Sequence, residues 1–165
     1  MGEQRYGYVA AFERGIDNPM RIAIASDHAG VDLKARIVEL VGEAGHDVRD
    51  LGPAEKTSVD YPDFAHAVAA AVAAGEAERG ILICGTGIGM SLAANRHPQV
   101  RAALCHDAFT AEMARRHNDA NVLCMGARST GPGVAEQIVR IFLETAFEGG
   151  RHQRRIDLIE FERED

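Results

Sequence analysis

At 165 residues, 46% hydrophobic and without Trp, the chain suits one domain with a sizeable core and an alanine- and valine-rich α/β make-up. A formal net charge of -7 argues against nucleic acid and anionic membranes as partners. Cysteines at 84, 105 and 124 form an odd, unpaired set that fits reduced thiols in a cytoplasm, and the seven histidines lack H-x-x-x-H or C-x-x-C spacing for a metal.

Residues 1–19 are mixed and polar, with Tyr6, Tyr8 and Phe12 as their large apolar groups. They read as an N-terminal extension without the apolar core and small-residue site of a secretory signal. Periodic chain begins near Met20, and residues 20–150 read as one α/β domain. Ile22 to Ala25 predict a strand, followed by the turn Ser26-Asp27-His28-Ala29-Gly30. Leu33, Ile37, Leu40, Val41 and Ala44 recur at helical spacing, with Gly45 as the stop. Val48 and Leu51 mark a second strand, broken by Gly52-Pro53. A helix starts around Pro62, carries Phe64, Ala65, Val68 and Val72 on one face, and ends at Gly75. Its run from Ala69 to Ala74 is too short to span a membrane.

Ile81, Leu82 and Ile83 form a third strand that runs into Cys84-Gly85-Thr86-Gly87-Ile88-Gly89, after which Met90, Leu92, Ala93 and Ala94 read as a helix. A strand, a glycine-rich turn and a helix make an anion site, because glycines allow close approach and the N–H groups point outward. A thiol at the head of that turn sits where its ionised form is favoured. The bland alternative, a buried cysteine ending a core strand, is the commoner fate of a lone thiol. Spacing excludes a P-loop, since Met90 and Ser91 follow Gly89, and the G-x-G-x-x-G dinucleotide fingerprint. A cysteine phosphatase is excluded as well, because position 90 is not arginine.

Ala102 to Leu104 predict a fourth strand, and Asp107 a cap for the helix that closes at Arg115-Arg116-His117-Asn118-Asp119. Val122 to Met125 form a fifth strand, ending in Gly126-Ala127-Arg128. A helix with Val134, Ile138, Ile141 and Phe142 on one side follows Gly131-Pro132-Gly133. After Gly149-Gly150, residues 151–165 read as a C-terminal arm whose short helix has Ile156 and Ile159, with Leu158 as a further candidate, as an apolar face. Nothing obvious in its own chain covers that face, so the arm is expected to pack on a neighbouring subunit. Five strands alternating with helices predict a Rossmann-like, open, parallel sheet covered on both faces. The loops after the strands then share one edge.

These motifs resemble the ribose-5-phosphate isomerase B and galactose-6-phosphate isomerase family. The resemblance rests on Ser26-Asp27-His28-Ala29-Gly30, Asp60-Tyr61-Pro62, Cys84 to Gly89 with Ala93-Ala94-Asn95, His117-Asn118-Asp119-Ala120-Asn121, and the run from Gly149 to Arg155. It covers Met20 to about Glu160 and leaves residues 1–19 unaccounted for. It implies an aldose–ketose isomerase that works through a cis-enediolate and needs no metal or cofactor. Its substrate would be a phosphorylated sugar, ribose 5-phosphate first. Allose 6-phosphate, galactose 6-phosphate and a tetrulose 4-phosphate are alternatives, as is a silent sugar-phosphate-binding protein. Cys84 occupies the family's base position, in the version that lacks a glutamate near the end of the loop. Thr86 and the N–H groups of Gly85, Gly87, Ile88 and Gly89 would stabilise the enediolate oxygen, and His117 would open the sugar ring.

By the same resemblance, Asp27 and Asn118 bind sugar hydroxyls. His28, Arg128, Arg151 and Arg155 bind phosphate, whereas Arg154 is not assigned to it. Tyr61 is a further candidate for the pocket wall; His46, His66, His97 and His106 read as surface or supporting residues. Taken singly, His117 could be a helix-end cap, the arginines a solvated turn and Asp27 an N-cap. The family builds its sites between subunits, so a cytoplasmic homodimer or dimer of dimers is expected. His117, Asn118 and Arg128 of one chain would then complete the pocket around Cys84 of the other.

Overall fold

A computed structural model of the chain describes residues 18–159, so the expected extension lies almost wholly outside the described residues. Its elements are β1 (Arg21–Ser26), α1 (Val31–Glu43), β2 (Asp47–Asp50), α2 (Tyr61–Ala73), β3 (Arg79–Cys84), α3 (Ile88–Ala94), β4 (Ala102–Leu104), α4 (Ala108–Asn118), β5 (Val122–Gly126), α5 (Pro132–Glu144) and α6 (Arg151–Asp157). All five strands pair in parallel in the order β2-β1-β3-β5-β4, the expected fold class.

Alternation along the strands separates two apolar layers. Ile22, Ile24, Ile81, Ile83, Leu123 and Met125 face α1, α4 and α5. Ala23, Ala25, Leu82, Cys84, Val122 and Cys124 face α2 and α3. The second layer is thin because its residues are small, and α2 sits so close that a Cβ on Gly80 would lie 2.6 Å from Val68 Cγ1. On the thicker side, α1 buries Leu33, Ile37, Leu40 and Val41, at about 1.5–3 kcal/mol each as an upper bound.

The stops behave as the sequence indicates. Gly45 and Gly75 take positive φ just beyond α1 and α2. Asp107 caps α4, its carboxylate accepting the Thr110 N–H at 2.7 Å in a reciprocal capping box. α3 begins two residues earlier than its apolar pattern suggests, at Ile88, because Gly87 serves as its N-cap with φ +79°.

The arm is only half uncovered. α6 lies on α4 of its own chain with His152 and Ile156 buried, while Leu158 and Ile159 stay exposed. The expected pairing of Ile156 with Ile159 on one face is corrected: α6 stops at Asp157, before the second of them.

Candidate active site in two halves

Sheet order creates a crevice. β1 and β3 are neighbours, yet the helices that follow them lie on opposite faces of the sheet, α1 on one and α3 on the other. Their carboxyl ends therefore open at a topological switch point, where α/β sheets hold ligands. Asp27 leaves β1 at this point and Cys84 ends β3, with the Asp27 N–H donating to Ile83 O at 3.0 Å.

Around Cys84 the loop is tied down by its own groups. The Gly87 N–H donates to Cys84 Sγ at 3.1 Å, and the Ile88 N–H to Thr86 Oγ1 at 3.3 Å. These two donors are thus turned inward, a correction to the expectation that the loop's N–H groups all face outward. Gly87 must be glycine: its φ is positive, and a Cβ there would meet Leu104 Cδ1 at 2.5 Å and the Met125 carbonyl carbon at 2.8 Å. Gly89 is covered by the Tyr61 ring, which a Cβ would strike at 2.5 Å, so Tyr61 does form a wall here.

Arg128 belongs to this half. Its N–H donates to Gly85 O at 3.0 Å, and its side chain runs beside Gly85. The expected grouping of Arg128 with His117 and Asn118 is therefore corrected, because β5 delivers it to the same edge as β3. Asp27 is buried, and its Oδ1 accepts the N–H groups of Ala29 at 2.9 Å and Gly30 at 3.2 Å, so it holds the turn rather than capping α1 directly. His28 Nδ1 accepts the Val59 N–H at 3.3 Å, which leaves the ring proton on Nε2.

The second half lies at the opposite edge. α4 runs back from the carboxyl end of β4, so His117 and Asn118 at its end stand beside the start of β5. Arg101, just before β4, donates from Nε to Asn118 O at 3.1 Å. The His152 ring of α6 stacks on the His117 ring, centroids 4.2 Å apart and planes within 9°. That stacking brings exposed Arg151 and Arg155 to the same end. Glu148 Oε2 lies 3.8 Å from His117 Nε2 and 3.5 Å from His152 Nε2. A cavity of about 680 Å³ opens beside Asn118, lined among others by Asn95, Arg101, Ala102 and Ile159 but by no residue of the Cys84–Gly89 loop.

One chain thus gathers Asp27, His28, Cys84 to Gly89 and Arg128 at one edge, and His117, Asn118, Arg151 and Arg155 at the other. Glu148 joins the second group with no signal in the sequence, and His152 with none beyond its place in the Gly149–Arg155 run.

Burial shifts two of the cysteines and one of the stacked histidines. Burial pushes the Cys105 thiol up to about 11 and the Cys124 thiol well above the ordinary range, which leaves both as neutral core groups. Hydrogen bonding from Arg116 holds the Glu148 carboxyl below the usual range. Burial, then the neighbouring His117, pushes His152 down. His117, Glu148 and His152 also form a metal-like donor set, but parallel rings aim their nitrogens side by side rather than at one point, and Arg116 already engages Glu148. Among the described residues no helix is long and apolar enough to cross a membrane.

A family model described as Ribose/Galactose Isomerase matches residues 22–159. The ribose-5-phosphate isomerase B of Escherichia coli is 46% identical over 139 residues, covering 84% of this chain and 93% of the relative. The Clostridium thermocellum ribose-5-phosphate isomerase B structure superposes with a TM-score of 0.84 at 48% identity, covering 85% of this chain and 95% of that one. The Trypanosoma brucei type B ribose 5-phosphate isomerase gives 0.84 at 50% identity, covering 86% and 97%.

Proposed function

The chain belongs to the ribose/galactose isomerase family, and from that premise we propose how its residues divide the work of a sugar-phosphate aldose–ketose isomerase. It interconverts D-ribose 5-phosphate and D-ribulose 5-phosphate, the reaction for which its Escherichia coli and Trypanosoma brucei relatives are named. His117 protonates the ring oxygen and opens the sugar. Cys84 then carries a proton between the two adjacent carbons of a cis-enediolate, whose oxygen is stabilised by the Thr86 hydroxyl and the remaining loop N–H groups of Gly85 and Gly89. Gly87 and Ile88 hold the sulfur and Thr86 in place. Asp27 and Asn118 orient sugar hydroxyls, and His28, Arg128, Arg151 and Arg155 hold the phosphate.

The observation that carries this reading is the separation of the two halves. A proton base and a ring-opening acid for one small sugar cannot work from opposite edges of one sheet, so the active site is built from two chains, as a homodimer or a pair of dimers. Exposed apolar side chains support this: Ile88 and Leu92, one turn apart on α3, are 51% and 58% exposed, and Phe109 on α4 is 68% exposed. Leu158 and Ile159 form the part of the arm that packs on the partner. Three free cysteines suit work in the reducing cytoplasm.

Mixing two inactive variants tests the whole reading. Cys84→Ala and His117→Ala assemblies should each be nearly inactive on ribose 5-phosphate. Unfolded and refolded together, half the dimers become hybrids with one doubly damaged and one intact site, so about a quarter of all sites regain wild-type turnover. No recovery, with hybrids verified by mass spectrometry, would place Cys84 and His117 in the same chain's site. Full activity in either variant alone would remove that residue from the mechanism.

A further inference from the structure

We propose that Glu148 and His152 are positioning residues for His117: they hold one of its ring nitrogens toward a carboxylate so that the other is presented to the sugar's ring oxygen. The proposal rests on the reading of His117 as the ring-opening acid. Its geometry is independent of that reading.

Glu148 is fixed from behind. Its N–H donates to Arg116 O at 3.0 Å, and its Oε1 is bound by the Arg116 guanidinium, which Glu112 also engages at 2.8 Å. Oε2 is left facing both imidazoles, 3.8 Å from His117 Nε2 and 3.5 Å from His152 Nε2. His152 is 6% exposed and lies flat against His117, so the His117 ring cannot tilt without displacing a buried neighbour.

The charges around the pair make Glu148 necessary. Arg116 and Glu112 face it from α4, and Arg151 and Arg155 from α6. Glu112 is taken up with Arg116, so Glu148 is the carboxylate that meets the rings. Without it the two rings would face the Arg116, Arg151 and Arg155 guanidinium groups, with Glu112 turned to Arg116. Of the two rings His152 is the more buried, and burial favours its neutral form, whereas His117 is the one open to a substrate.

With Nε2–H directed at Glu148, the proton on Nδ1 is the one available to substrate. It passes to the ring oxygen as the bond from that oxygen to the anomeric carbon breaks. The anomeric hydroxyl releases a proton to water as the carbonyl forms. Neutral His117 is left with its remaining hydrogen still held on Nε2.

The test uses the full-length enzyme with ribose 5-phosphate as substrate and inorganic phosphate as the binding probe. Glu148→Gln should cut kcat by about tenfold, since general acids contribute 10²–10⁴ and a misaligned one keeps only part of that. KM for ribose 5-phosphate should stay near wild type, because the groups that hold the substrate are untouched. Inorganic phosphate should bind no more weakly, a result that mere structural damage to the arm would not give. Glu148→Asp keeps the charge at greater distance, so kcat falls less. His152→Asn should lower kcat without weakening phosphate.

A folded Glu148→Gln enzyme with wild-type kcat overturns the proposal. If that variant does not fold, wild-type kcat in both Glu148→Asp and His152→Asn overturns it instead. His117→Asn separates the two levels. An inactive His117→Asn beside an unaffected Glu148→Gln refutes only the positioning role, whereas an active His117→Asn removes the ring-opening assignment and this proposal with it.

Discussion

Gly87→Ala tests whether the Cys84 loop is held as tightly as the geometry indicates. Gly87 sits at φ +79° as the N-cap of α3, and its N–H is the donor to Cys84 Sγ at 3.1 Å. A methyl group there incurs two costs. Left-handed backbone costs an L-residue roughly 1–2 kcal/mol. The new Cβ would also lie 2.5 Å from Leu104 Cδ1, 2.8 Å from the Met125 carbonyl carbon and 3.0 Å from its oxygen. Leu104 can swing away, but the Met125 atoms are backbone within β5, so overpacking adds about 1–3 kcal/mol. The sum, roughly 2–5 kcal/mol, corresponds for a chain of this size to a fall of about 4–20 °C in Tm. Turnover should fall further than stability, because relieving the clash pulls the N–H off the sulfur. Gly133→Ala is the matched control: its Cβ meets nothing within 4 Å in α5, and it should be neutral or stabilising by about 0.5–1 kcal/mol. Thermal unfolding by circular dichroism and a coupled isomerase assay read the two effects. A Gly87→Ala protein that melts like wild type and turns over at wild-type rate would refute the account of the loop.

Cys84→Ser should lose most turnover while keeping fold and phosphate affinity, since an unaided hydroxyl is too weak a base; near-wild-type kcat would remove the thiol from the chemistry. Iodoacetamide should label Cys84 ahead of Cys105 and Cys124, whose thiols burial keeps protonated, and peptide mapping that found Cys105 first would contradict this. Arg151→Ala and Arg155→Ala should each weaken inorganic phosphate by about ten- to a hundredfold, as loss of a charge-assisted contact does, and more than Arg154→Ala does. If titration calorimetry ranks Arg154 highest, the register of α6 against the substrate is wrong. His46 accepts the Met20 N–H at Nδ1, 3.1 Å away, and burial pushes its pKa below 6.5. The unfolded chain then binds that proton more readily, so this contribution is full above pH 6.5 and lost as pH falls through the lowered value. His46→Gln should flatten the acid side of the stability curve in urea titrations, and an unchanged slope would show that His46 is not the group responsible.

Local chemistry made much of this protein legible from its residues alone. Strands announce themselves as β-branched runs bounded by turns, and helices end where glycine or a capping Asp must stand. The Cys84 loop is equally local: a strand, three spaced glycines and a helix follow one another in the chain, so their neighbourhood needs no long-range information. Sheet order is another matter. Nothing in the residues of β1 and β3 states that they are adjacent, and only that adjacency turns two separate loops into a crevice. The same holds for the division of the site. Arg128 moved from the His117 group to the Cys84 group because β5 pairs with β3, and the direction of α4 carried His117 away from Cys84. The stacking of His152 on His117, with Glu148 beside both, joins residues about 30 positions apart through the packing of α6 on α4. Periodicity records which face of an element is buried, and tertiary packing alone decides what that face is buried against.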